Sequence, residues 1–64
     1  MRKRYKREEI IKIAKDAGLD YYESHNGRFN RFYVDTENGY DLFAKNSSTD
    51  PKYILCNQYE DIYG

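Results

Sequence analysis

Sixty-four residues, with eleven Lys or Arg against eleven Asp or Glu, carry no net charge. That length suffices for one domain, residues 1–64, and is too short for two. Hydrophobic residues at 39% with eight Tyr and three Phe exclude a collagen-like or low-complexity chain and supply a small core.

Zero net charge conceals an asymmetry. Residues 1–15 hold seven bases and two acids, while residues 16–64 hold four bases and nine acids. The chain reads as a basic N-terminal arm, residues 1–5, leading into a helix and then an acidic, tyrosine-rich body. No apolar run approaches the ~20 residues of a membrane span, so no membrane partner is expected. The basic start is followed by Glu8-Glu9 rather than an apolar stretch, so it does not read as an export signal. One cysteine, Cys56, cannot close an internal disulfide, which points to a cytoplasmic setting.

The first predicted element is a helix from Lys6 to Ala17. Glu8 and Glu9 suit the positive end of its dipole, and Gly18 stands where a left-handed residue ends a helix. Leu19 then closes back on Ala14. Ile10, Ile13, Ala14 and Ala17 recur at i, i+3, i+4, i+7 and form one apolar stripe, with Ile11 beside it.

Two hairpins are expected next. In His25-Asn26-Gly27-Arg28 the Asn-Gly pair favours a two-residue type I′ turn. That turn pairs Leu19 with Val34 and Tyr21 with Phe32 on an inner face. It sets Asp20 against Tyr33, Tyr22 against Arg31 and Ser24 against Phe29 on the outer one. At the second turn a three-residue loop, Glu37-Asn38-Gly39, keeps the inner face continuous, pairing Val34 with Leu42 and Phe32 with Ala44. Tyr33 then faces Phe43, and Arg31 faces Lys45, on the outer side.

Residues 46–51 read as a loop. The segment 51–63 has two readings. Tyr53 to Cys56 has strand propensity, whereas Asp50-Pro51 also suits a helix start. The strand is preferred, leaving 58–64 as a tail. The expected fold is α+β: an N-terminal helix on a three- to four-stranded antiparallel sheet, then a strand or short helix. Its core would hold Ile10, Ile13, Ala14, Ala17, Leu19, Tyr21, Phe32, Val34, Leu42, Ala44 and part of the last segment.

Catalytic and metal-binding patterns are not evident. One His and one Cys, thirty-one positions apart, do not make a zinc site. His25 reads as a solvated turn residue and Cys56 as a buried thiol. No glycine-rich phosphate loop occurs. No metal or cofactor is expected, and the chain is read as not an enzyme.

The outer sheet face carries the functional signal. Tyr22, Phe29, Arg31, Tyr33, Phe43 and Lys45 are placed where polar residues would otherwise stand, and aromatics with Arg are the chemistry of binding hot spots. Three functions fit. The first is a protein-interaction module docking on a larger protein. Phe, Tyr, Met, Ile, Asn and Lys, whose codons are AT-rich, supply 28 of 64 residues. With the small size, that bias suits a phage or mobile-element accessory protein that inhibits a host defence enzyme. The second is single-stranded nucleic-acid binding, with ring stacking on the sheet and phosphates held by Arg2, Lys3, Arg4, Lys6 and Arg7. The third is a self-assembling homodimer. A helix formed by residues 51–63 and laid over the outer face would remove the site.

Overall fold

The computed structural model describes residues 3–27, 29–47 and 49–64. It has the expected α+β architecture: a helix, four antiparallel strands in one sheet, and a short C-terminal helix. In chain order these are α1 (Arg7–Asp16), β1 (Tyr21–Asn26), β2 (Phe29–Thr36), β3 (Gly39–Ser47), β4 (Asp50–Leu55) and α2 (Asn57–Tyr63). The strands lie in sequence order across the sheet. Among the described residues no helix is long and apolar enough to cross a membrane.

α1 starts and stops by local chemistry. The Glu9 carboxylate accepts the Lys6 backbone N–H at 3.0 Å, so one orphan donor at the helix start is satisfied. At the other end Gly18 takes φ 72°, which glycine adopts without a Cβ penalty. The Leu19 N–H then reaches the Ala14 carbonyl at 2.9 Å and the Gly18 N–H reaches Lys15 at 3.0 Å. This is the Schellman closure the sequence leads one to expect. Ile10 and Ala14 are fully buried, and Ile11 and Ile13 pack beside them.

The first hairpin keeps the expected faces and changes register. Tyr21 stands opposite Val34, Tyr22 opposite Tyr33, Ser24 opposite Arg31 and Asn26 opposite Phe29. The first three pairings are each two positions from the expected ones, so those side chains stay on their predicted faces, while Asn26 moves from the turn into the strand. A type I′ turn would need Asn26 and Gly27 both left-handed. Of the two only Gly27 is, with φ 64°, because Asn26 is still a strand residue. Leu19 is held by the helix closure instead of pairing with Val34. Arg28, the last residue of the expected turn, lies outside the described residues.

The second hairpin departs further. Its turn is Glu37-Asn38, with Thr36 opposite Gly39, rather than a three-residue loop. The Thr36 hydroxyl fixes it, accepting the Asn38 N–H at 3.3 Å and donating to the Gly39 carbonyl at 3.0 Å. This register sets Val34 against Asp41 and Tyr33 against Leu42, so Leu42 leaves the predicted core for the outer face. A β-bulge at Phe43 then restores Phe32 opposite Ala44 and Arg31 opposite Lys45. Phe43 and Ala44 are consecutive and both fully buried. The expected placement of Phe43 on the outer face is therefore corrected: the bulge turns its ring inward.

The last segment contains both a strand and a helix. β4 pairs with β3 through Leu55–Ala44, Ile54–Lys45 and Tyr53–Asn46, with a second irregularity where Pro51 enters. Proline is tolerated at such an edge position. Asp50 does not cap a helix; its carboxylate accepts the Lys52 N–H at 2.9 Å. The expected tail over 58–64 is corrected to α2, whose Tyr59 packs on Phe43 at 4.9 Å between centroids and donates to Asp41 at 3.2 Å.

One face of the sheet thus holds the core: Ile10, Ala14, Phe32, Val34, Phe43, Ala44, Tyr53, Leu55 and Tyr59, together with Tyr5. Tyr5 belongs to the predicted basic arm, yet it is buried and makes a two-hydrogen-bond bridge to Tyr53 on the open side of β4. Tyr63 of α2 lines one hollow with Ile13 and Asp16 of α1 and with Ala17, and both helices bury residues in the core of this face.

Candidate functional site

Both helices bury residues in the core on the inner face, so among the described residues the opposite sheet face has no helix over it. The alternation of strand side chains determines what stands there. One cross-strand row runs Tyr22, Tyr33, Leu42, and the next runs Ser24, Arg31, Lys45, Ile54. Beyond the first row lie Asp35 and Tyr40, a facing pair, with Asp20 hydrogen-bonded through its carbonyl to the Asp35 N–H at 2.9 Å. Of the six sequence-predicted face residues, Tyr22, Phe29, Arg31, Tyr33 and Lys45 are here and Phe43 is not. Tyr40, Leu42 and Ile54 join them. The signal for Tyr40 and Leu42 was Thr36, whose hydroxyl selects the two-residue turn.

Exposure varies across the face. Tyr22 and Phe29 are each 46% exposed and Tyr40 is 66% exposed. Tyr22 meets Tyr40 edge-on at 5.1 Å, and the two enclose with Tyr33 an open cleft of about 350 Å³. That volume lies at the lower end of the roughly 300–1,000 Å³ that ligand sites use, and the cleft, open to solvent, has room for one large side chain. The Tyr22 hydroxyl is pushed above the usual tyrosine range by Tyr40, by desolvation and by the charges of Asp35 and Asp20. Asp35, opposite Tyr40, and Asp20 next to it make this the acidic end of the face.

The neighbouring row is cationic. Arg31 and Lys45 are exposed and directly opposed, a like-charge arrangement that costs about 0.2–1 kcal/mol. Among the described residues neither has a carboxylate partner. Lys45 also shares a hollow with Lys52, Arg4 and Ile54, in which Asp50 is the one acid. Along β2 the outer positions run Asp35, Tyr33, Arg31, Phe29, which is acid, aromatic, base, aromatic at steps of about 7 Å.

The residues assigned to phosphate contacts are largely engaged elsewhere. Arg4 pairs with Asp50, and Arg7 grips Glu23 through two bonds at 2.6 and 2.7 Å. Arg7 holds the Glu23 carboxyl below the usual glutamate range despite partial desolvation, which acts the other way. Lys3 lies over the Tyr5 ring at 5.2 Å. Lys6 starts α1, and Arg2 lies outside the described residues. The arm works mainly as a clasp, tying the chain's beginning to β4 and β1.

His25 sits between Asn30, at 2.8 Å from Nδ1, and Glu23, at 3.6 Å from Nε2, on an exposed strand end. Cys56 is half-buried at the start of α2. Among the described residues no three His, Cys, Asp or Glu side chains cluster as a metal site requires. Comparison with known protein families, with characterised proteins and with solved structures finds no match to this chain.

Proposed function

We propose that this protein is a small non-catalytic interaction module that docks on a larger protein through its open sheet face. Tyr22, Tyr33 and Tyr40 anchor the contact, with Arg31 and Lys45 beside them. The supporting observation is the like-charge pair Arg31–Lys45, without a carboxylate partner among the described residues, next to an open tyrosine cleft. Both features cost stability or solubility when the face meets only water, and both gain a partner when an apolar, acid-bearing surface covers it. The same chemistry suits an inhibitor that occludes a host defence enzyme, the class of phage or mobile-element protein that the size and composition fit.

Co-purification from cells of the source tests the reading. We expect one protein to be retained by the wild type and by Lys12→Ala with Lys15→Ala on the exposed side of α1. Tyr22→Ala with Tyr33→Ala should lose it at least tenfold, with the fold intact by circular dichroism. Equal retention by both double variants rejects the face.

A further inference from the structure

We infer that the open face is polar end to end, and that it selects an extended protein segment with an acidic residue, a large apolar residue and a basic residue at alternate positions. This rests on the protein-docking reading and specifies the occupant. Along β2 the outward side chains at 31, 33 and 35 are Arg, Tyr and Asp, about 7 Å apart at each step. Lys45 stands across from Arg31, so the positive site is doubled. The Asp20 carbonyl accepts the Asp35 N–H at 2.9 Å, so a second aspartate stands next to the negative site. The cleft of Tyr22, Tyr33 and Tyr40 begins at the Tyr22–Tyr33 row next to Arg31 and extends to Tyr40, which stands opposite Asp35.

An extended segment laid along β2 has the same two-residue repeat. Its acid meets Arg31 and Lys45, its apolar side chain enters the cleft, and its base meets Asp35 and Asp20. Charge complementarity of this kind sets orientation and specificity more than raw affinity. A single-stranded nucleic acid fits only half of the pattern. Its rings can stack on the tyrosines, but its unbroken line of phosphates must also pass the two aspartates.

Selection from a displayed library of random twelve-residue peptides, run against the immobilised protein, tests this. Expected are peptides enriched in Asp or Glu, any residue, an aromatic or Leu, any residue, then Lys or Arg, in either chain direction. Synthetic copies should bind Arg31→Glu with Lys45→Glu at least tenfold more weakly, and replacing the peptide's acid with Lys should restore binding to that variant. Enriched peptides that lack the pattern, or bind the charge-reversed protein equally, overturn the polarity. In that case loss of binding with Tyr33→Ser would leave the docking face standing. No enrichment, or peptides indifferent to Tyr33→Ser, overturns both. Preferential binding of a sixteen-residue oligo-dT, steeply weakened by salt, assigns the face to nucleic acid and overturns the proposal.

Discussion

The two faces of one sheet use the same aromatic chemistry and end in opposite conditions. On the inner face Phe32 packs on Tyr53 at 5.0 Å and Phe43 on Tyr59 at 4.9 Å, and all four rings are buried. On the outer face Tyr22 packs on Tyr40 at 5.1 Å, a similar spacing, and both rings remain in solvent. Ring content does not separate core from surface here. What separates them is where the helices land: the Schellman turn at Gly18 returns α1 over the inner face, and Tyr59 draws α2 down beside it. The outer rings pack only on one another among the described residues and stay exposed to solvent.

The contrast breaks most visibly under truncation. Phe43→Ala should cost about 3–5 kcal/mol by the behaviour of buried phenylalanines. That is comparable to the whole stability of a domain this size, at ~0.05–0.15 kcal/mol per residue. Tyr40→Ala, which removes one exposed edge-on contact, should cost no more than about 1 kcal/mol. Urea unfolding of both variants checks the pair. Equal costs would mean that the outer rings also form a core.

Arg31→Thr sharpens the comparison in the other direction. Relieving the like-charge pair with Lys45 should raise stability by about 0.2–1 kcal/mol while weakening partner binding. A stabilised variant with undiminished binding would show that Arg31 has no part in docking.

The smallest expected effect lies in the N-terminal clasp. The Glu23 carboxyl is lowered by its hydrogen bonds from Arg7, so its contribution is complete above the ordinary value of 4.5 and fades as pH falls through the lowered value. Glu23→Gln should therefore be modestly less stable than wild type near neutrality, and the gap should close in acid. Unfolding midpoints across that range would reveal it. A gap independent of pH would trace the effect to packing instead of charge.

Much of this architecture is legible in the residues. The helix and its Gly18 stop follow from period and capping, and the face assignments of Tyr22, Phe29, Arg31 and Tyr33 follow from strand alternation about the Asn-Gly turn. The face assignments survive a two-position register error because side chains alternate with period two. Phe43 was not legible. Nothing in Leu42-Phe43-Ala44 marks a bulge, and the ring's inward position is stabilised by Tyr59, sixteen residues later. α2 was obscured for the same reason, since its anchor is a tertiary contact. The ion pairs of the basic arm were not legible either, because Asp50 and Glu23, which hold Arg4 and Arg7, are distant in sequence.

The most direct test of the central claim uses two positions of nearly equal exposure. Tyr40, 66% exposed, lies on the open sheet face, and Ile62, 67% exposed, lies on α2. A photo-crosslinking benzoyl-phenylalanine at position 40 should capture the partner protein, and the same residue at position 62 should not. Capture from position 62 alone, or from both positions equally, would contradict the account.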